Sequence, residues 1–412
     1  AGGRALRYRP PRLRGPGRRR DETDRRGAWM EIDLDAIRQN IGLNRSVVGD
    51  AAEAQVVKAE AYVHGMDAVS RAIEPVIDAF CVATLDEAIA LRPEVSGRII
   101  MLYPVPHPAV PEALELDIEL PIMSAADLEA IQAAAGDGRP PVRIHLAVET
   151  GMGRGGVPPE NVVAVAAATH ADPRLELAGL WSHLHSPEDP PTSDGQLLRF
   201  DIATTALREA RIPVPPRHAA ASGGIFTGDE PALDFVRPGI ASYGVLDDGL
   251  PLAPDAVEAA RQLRPAMSLK ARPIAFSRVP EGGTVGYGGT WRAERPSRIA
   301  VLPVGYGDGY LRSTQPGAEV LVRGRRRPLV GRVSMDAVTV DVTDLPGLGY
   351  EEEFVLLGSQ GSESISVGEL ARRRNTIAWE VLTSMAQRLA RVYHPTAGTT
   401  DKDQDQPAPA QA

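Results

Sequence analysis

Lysine is almost missing from this chain. In 412 residues it occurs only as Lys58, Lys270 and Lys402, and the remaining positive charge comes from arginine. Ordinary surface positions are therefore filled by guanidinium groups. A lysine directly behind two valines, in "QVVKAEAYVHG" (55–65), stands apart. An amine can lose its proton and condense with an aldehyde, whereas Arg remains protonated. The competing reading is a strand-end lysine whose stem packs on apolar surface while its head reaches solvent.

Cysteine is scarcer still. Cys81 is alone, so no internal disulfide forms, and its place in the apolar run "DAFCVA" reads as a buried structural thiol rather than a nucleophile. No apolar run approaches a membrane span, and the first residues lack the apolar stretch of a secretory signal. The expectation is a soluble, cytoplasmic protein, with no metal site and no membrane partner.

The net charge of −9 joins two unlike parts. Residues 1–27 hold ten Arg against Asp21, Glu22 and Asp24, a tail of +7 that leaves −16 for the rest. Such a Pro/Gly/Arg stretch cannot pack a core and is expected to be disordered, as is the polar tail 396–412. An acidic body argues against nucleic acid as the main partner.

A chain this long, 43% hydrophobic, predicts about two or three domains. From Gln55 onward, short apolar runs alternate with helical patterns: "QVVKA", "AFCVA", "RIIMLY", "IELPIM", "VRIHLAVE", "LELAGLWSHL", "PPRHAAAS" and "FVRPGIASYGV" read as successive strands. Segments such as "TLDEAIALRPEV", "SAADLEAIQAAAG" and "DGQLLRFDIATTALREA" between them carry helical spacing, the second opening on a Ser124/Asp127 capping pair. About eight parallel strands with helices predict a (β/α)8 TIM barrel over 28–258, whose first strand, about 29–34, is a candidate for the following domain. A doubly wound sheet is the alternative, but no G-x-G-x-x-G turn follows the first strand. After about Ala259 the alternation and the Gly/Pro breaks predict a mainly antiparallel β domain over 259–395, closed by helices at about Ser366–Arg374 and in "TIAWEVLTSMAQRL".

In a barrel, ligands sit at the C-terminal ends of the strands, where Lys58 falls. An inward lysine in apolar surroundings has its ammonium form disfavoured. A phosphorylated aldehyde also needs a cradle, and "RPGIASYG" offers glycine and backbone N–H groups where the chain turns into a helix.

The stretches "VVKAEAYVHG", "ETGMGRGGV", "VRPGIASYG", "VGYGGTW", "LPVGYGDGY" and "VGRVSMD" resemble, in order, the signature stretches of alanine racemases, with collinearity from about Trp29 to Tyr393. The resemblance implies a barrel plus a β domain, pyridoxal 5'-phosphate as cofactor, a small amino acid as substrate with alanine first, and a homodimer with shared sites. It implies that Lys58 is the imine-forming lysine and the base on one face of the substrate, and that Tyr287 is the opposing base, supplied by the other subunit. Two different bases on opposite faces are what racemisation by proton removal and return requires. Arg237 matches the arginine facing the pyridine nitrogen, which has no proton to give and so restrains decarboxylation and transamination. His183 matches the ring-packing histidine. Tyr62, Ser222, Gly239, Ile240 and Tyr393 match phosphate-binding positions. Arg154 matches the arginine near the ring oxygen and substrate carboxylate, Tyr306 the tyrosine at the channel mouth, and Met335 with Asp336 the segment reaching the substrate from the partner.

Five departures cluster at the same end: Glu60 for Asn and Val63 for Gly in the lysine motif, Ala147 for a lysine that becomes carbamylated together with Glu149 for Asp, and Ala221 for Asn. Strand alternation puts Lys58 and Glu60 on one inward face. A buried carboxylate needs a partner, and the expectation is that Glu60 replaces the missing carbamate's charge and balances Arg154. The alternatives are a same-fold enzyme of changed substrate or reaction, decarboxylase or aldolase-like, and a non-catalytic cofactor-binding protein.

Overall fold

Strand β1 (Ala28–Asp33) opens a computed structural model that describes residues 25–228 and 233–394. The expected disordered tails, 1–27 and 396–412, lie almost wholly outside the described residues. The eight apolar runs of the first half become β2 (Ala52–Val56), β3 (Ala79–Val82), β4 (Arg98–Met101), β5 (Leu120–Ile122), β6 (Val142–Ala147), β7 (Leu175–Trp181), β8 (Arg217–His218) and β9 (Phe235–Val236). They pair in parallel in the orders β4-β3-β2-β9 and β5-β6-β7-β8. Parallel bridges Ile100–Glu119 and Ala221–Arg237 join the two arcs, so the ring closes as a (β/α)8 barrel. Buried on both faces, such strands read as nearly continuous apolar runs.

The helices begin where the capping chemistry predicts. Thr84 and Glu87 form a reciprocal box before helix Leu85–Leu91, and Ser124 accepts from the Asp127 N–H before Ala125–Ala134. Helix Leu34–Val48 buries Leu34, Ile37, Asn40, Ile41 and Asn44 along one face. The two asparagines on that face hold the last barrel turn, Asn40 through the Ser242 carbonyl (3.1 Å) and Asn44 through the Ser242 hydroxyl (2.9 Å).

The second half alternates as expected of antiparallel strands: β10 (Met267–Ala271), β11 (Ala275–Val279), β12 (Thr284–Val285), β13 (Trp291–Arg292), β14 (Ser297–Leu302), β15 (Glu319–Val322), β16 (Arg325–Pro328), β17 (Val338–Asp341), β18 (Phe354–Gln360), β19 (Glu363–Ile365) and, at the end, β20 (Ala390–His394). The main sheet runs β16-β15-β18-β10-β1-β20, with β19 on β18, while β11-β14-β17 and β12-β13 form smaller sheets. β1 is antiparallel to β10 and parallel to β20, opposing Ile32 to Tyr393. The first strand thus leads into the barrel from the β domain, and the last returns beside it. Helix Val367–Arg374 forms with Ser366 as its cap, but the stretch from Thr376 is helical only over Ala378–Thr383. Among the described residues no helix is long and apolar enough to cross a membrane.

Candidate active site

Strand β2 stops at Val56, and Lys58 begins a turn rather than continuing the strand. Ala59, Glu60, Ala61, Tyr62 and Val63 all have positive φ, from +52° to +66°, forming a turn of left-handed helix without glycine. Each such residue costs roughly 1–2 kcal/mol. Hydrogen bonds hold the turn: Val63 N–H donates to the Ala59 carbonyl (2.9 Å) and Gly65 N–H to the Glu60 carbonyl (2.9 Å). The buried His64 ring donates from Nδ1 to the carbonyls of Ala61 (2.9 Å) and Tyr62 (3.0 Å), and stacks on Tyr243. Arg391 Nε, on β20, donates to the Val63 carbonyl (2.9 Å).

The turn overturns the expected placement of Glu60. Because the strand has ended, Lys58 and Glu60 do not share a strand face. Glu60 instead lies near Arg391, with 3.9 Å between Oε2 and Nη1, and does not pair with Arg154. Of the other lysines, Lys270 pairs with Glu31 (2.8 Å) and Glu353 (2.9 Å), a structural role, and Lys402 lies outside the described residues.

Lys58 has its pKa lowered by burial and then by the like charge of Arg154, opposed by Glu87 and reinforced by Arg237. An amine so placed is available as a nucleophile and base. Its neighbour in β3, Cys81, is fully buried and its thiol is pushed up to about 12, chiefly by burial, which makes it inert. His183 is pushed down to about 3 by burial, then by Arg237, Arg154 and Lys58, so it is a neutral ring at the same mouth.

Beside this cluster is a cradle. Tyr62 leaves the left-handed turn with its hydroxyl only 2.5 Å from where a Cβ on Gly239 would stand, so a side chain at 239 would displace that hydroxyl. Ser222 Oγ accepts from the N–H groups of Gly239 (2.9 Å) and Ala241 (3.2 Å). Ile240 opens the 3-10 turn Ile240–Tyr243, in place of the expected helix, and its N–H is one the turn itself does not use. Tyr393 brings its hydroxyl to within 1.9 Å of where a Gly65 Cβ would stand. Three hydroxyls and the Ile240 N–H beside bare glycines suit a phosphate. The donor set and the nearby amine therefore fit pyridoxal phosphate.

Arg237 is buried beside the cluster. Its Nη2 donates to the carbonyls of Ser182 (2.7 Å) and Ala219 (3.0 Å), its Nη1 to His218 Nδ1, and its guanidinium lies 5.0 Å from the centre of the Trp181 ring. Arg154 is exposed, 5.4 Å over the Tyr103 ring. Two other departures sit nearby and form no charge pair: Ala147 is buried, and Ala221 precedes helix Ser222–Thr227 without capping it. Glu149 accepts from the N–H groups of Gly151 (2.6 Å) and Gly153 (3.0 Å), shaping the Arg154 loop.

The remaining expected residues lie on the β domain. Tyr287 is 71% exposed, Tyr306 38% and Met335 54%. Tyr306 N–H donates to Ser334 O (3.0 Å) and Gly307 N–H to Met335 O (2.8 Å), which joins Tyr306 to the Met335–Asp336 segment. Asp336 pairs with Arg388 (2.8 Å). Within one chain, then, the structure brings together Lys58, Tyr62, His183, Ser222, Arg237, Gly239 and Ile240, with Tyr393 beside the turn. It leaves Tyr287 in solvent rather than against Lys58.

Sequence reading missed His64, Arg391, His218, His145 and Glu119. The last three were visible as polar residues inside apolar runs, in "PPRHAAAS", "VRIHLAVE" and "IELPIM", a combination that is costly unless paired.

Comparison with known proteins gives the same frame. The family models described as alanine racemase N-terminal and C-terminal domains match residues 32–247 and 266–393. An alanine racemase of Desulfosudis oleivorans is 37% identical over 383 residues, covering 89% of this chain and 96% of its own, and one of Salinispora arenicola is 37% identical over 376 residues, covering 89% and 98%. Among solved structures, alanine racemase from E. faecalis superposes with a TM-score of 0.83 at 30% identity, covering 90% of this chain and 99% of that one. The biosynthetic alanine racemase of Pseudomonas aeruginosa gives 0.78 at 36% identity, covering 90% and 100%. With both domains matched in order across a closed barrel and its β domain, this chain belongs to the alanine racemase family.

Proposed function

We propose that the chain is a pyridoxal-phosphate-dependent racemase of a small amino acid, alanine first, in which Lys58 and Tyr287 are the two proton-transfer groups. The observation that carries the reading is the desolvated Lys58 amine set beside a hydroxyl-lined cradle at bare Gly239. When bound, the cofactor supplies an electron-withdrawing ring that acidifies the α C–H of an amino acid joined to it.

The chain's own residues do the rest. Tyr62, Ser222, Gly239, Ile240 and Tyr393 hold the phosphate. Neutral His183 packs on the ring. Arg237 would face the ring nitrogen as a donor that gives no proton, which would disfavour transamination. Arg154 binds the substrate carboxylate. Lys58 Nζ takes or returns the proton on one face of the α-carbon, and Tyr287 of the partner subunit, through its hydroxyl, does so on the other.

The exposure of Tyr287, Tyr306 and Met335 supports a homodimer in which each subunit lends this strip to its neighbour. We place the dimer in the cytoplasm.

The test is α-proton exchange in deuterated water, with L- and D-forms of a panel of small amino acids, followed by NMR and enantiomer analysis. Exchange with inversion is expected, strongest for alanine. Lys58→Ala should abolish it. Tyr287→Phe should slow turnover roughly 10²–10⁴-fold while folding normally. A sample that binds the cofactor yet exchanges no amino acid overturns the reading.

A further inference from the structure

A line of buried polar groups crosses the barrel interior from mouth to floor. At the mouth, Arg237 Nη1 donates to His218 Nδ1. His218 Nε2 is 3.0 Å from His145 Nδ1, and His145 Nε2 is 2.6 Å from Glu119 Oε2. At the floor, where β4 begins, Arg98 donates to Glu119 from Nε (2.7 Å) and Nη2 (2.8 Å), with Arg143 Nε 3.2 Å away. Both imidazoles and the Glu119 side chain are wholly buried. Trp181 and Phe235 both stack on His218.

The donors and acceptors fit only one order. A guanidinium donates and never accepts, so His218 Nδ1 must carry a lone pair and its proton must be on Nε2. That proton points at His145 Nδ1, which must then accept, and the His145 proton is left on Nε2. A carboxylate that takes Arg98 accepts it. Every N–H along the line points towards Glu119, and reversal is blocked at the Arg237 end, where two donors would meet. Burial above all, and then the neighbouring positive charges, hold His218 well below the ordinary histidine range, and His145 is lowered by burial against the pull of Glu119. Both rings are neutral, as the order requires.

We propose that Glu119, His145 and His218 are positioning residues that fix Arg237 from the barrel floor through a one-way chain of hydrogen bonds. A buried cation needs an anion or aligned dipoles, and the carboxylate to which this chain leads is Glu119. Two imidazoles aligned in one sense carry its influence across the barrel, each bond strengthening the next in low dielectric. The result is a guanidinium held in one pose before any ligand arrives. The proposal rests on the function above only for what Arg237 faces.

The first test needs no cofactor. In apo-protein labelled with ¹⁵N-histidine, imidazole NMR should find both His145 and His218 neutral and protonated at Nε2 throughout pH 6–8. An imidazolium, or an Nδ1–H form at either ring, overturns the proposal and leaves the racemase reading standing. Next, His145→Phe keeps a ring but removes both links. With far-UV circular dichroism unchanged, it should lose the downfield His218 Nε2 proton, weaken pyridoxal phosphate binding roughly tenfold and lower kcat with little change in KM. A folded variant with wild-type affinity and an unmoved His218 proton overturns the proposal. If His145→Phe does not fold, the wild-type spectra decide. Failure of the wild-type protein to bind pyridoxal phosphate would instead strike the functional reading, since the tautomers are read without it.

Discussion

Glu60 and Arg391 meet across 3.9 Å where the last strand of the β domain passes the left-handed turn of the barrel, and the same arginine donates to the Val63 carbonyl at 2.9 Å. The two contacts are unequal. A long pair with a side chain one-third exposed is worth at most about 1 kcal/mol, whereas a charged donor on a strained carbonyl is worth about 2 kcal/mol. Arg391→Met should therefore destabilise the protein by about 2 kcal/mol and weaken cofactor binding, because Tyr62 rides on that turn. Glu60→Gln should cost less than about 1 kcal/mol and leave turnover within a few-fold. Urea titrations and pyridoxal phosphate binding on both variants check this. A larger loss from Glu60→Gln would restore a direct role for the carboxylate.

Gly239 and Tyr62 share one space. A methyl group at 239 would stand 2.5 Å from the Tyr62 hydroxyl and 3.3 Å from its Cζ. Gly239→Ala should push the hydroxyl out of the cradle and weaken pyridoxal phosphate roughly tenfold, the value of one hydrogen bond to a charged group. The effects should not add. Once Tyr62→Phe has removed the hydroxyl, adding Gly239→Ala should cost little more. Fluorescence titration of the four proteins gives the cycle, and additive losses would show that the two residues act separately.

Lys58 predicts a pH dependence. Burial and then Arg154 lower its pKa, with Arg237 adding to the effect, so its amine is neutral at a lower pH than an ordinary lysine. Capture of pyridoxal phosphate by the apo-protein needs the neutral amine, and its rate should rise with pH along a limb shifted down from the usual lysine range. Arg154→Gln removes a like charge, so the limb should move up. Stopped-flow absorbance across pH measures both. A limb at the ordinary lysine position, or one that Arg154→Gln leaves unmoved, contradicts the assignment.

The barrel was legible because parallel strands covered on both sides are apolar throughout, and Ser124 marks its helix with short-range capping chemistry. Lys58 was legible by contrast with an arginine-rich surface, and the cradle by its glycines. The Lys58–Val63 turn was not. Alternation continues through "KAEAYV" as it would in a strand, and five non-glycine residues at positive φ defy local preference. What holds them is distant in sequence: Arg391 on the last strand, and the Tyr243 ring under His64. Val63, a departure in the sequence, sits at φ +66°, where the glycine of related motifs would be unstrained. The Arg237–Glu119 line was hidden for a related reason: its members come from separate strands, and only ring closure aligns them.

Glu53 ties stability to pH. On β2 near the barrel floor, it is fully buried, with Asn44 3.5 Å from Oε1 and Arg45 3.7 Å from Oε2, too long to replace lost hydration. Burial raises its pKa to about 8 despite Asn44 and Arg45, with Asp78 adding to the rise. Near neutral pH the folded carboxyl is therefore mostly protonated. The unfolded chain ionises near pH 4.5, so stability linked to this group is complete below that value and is lost as pH rises towards 8. A gap of this size corresponds to a loss on the order of 5 kcal/mol at most. Glu53→Gln keeps the shape and does not titrate. It should melt above the wild type at pH 8 and lose that advantage by pH 5. Melting curves at the two pH values, taken on holoenzyme, decide the matter: a variant whose advantage is the same at both leaves Glu53 with no part in the pH dependence.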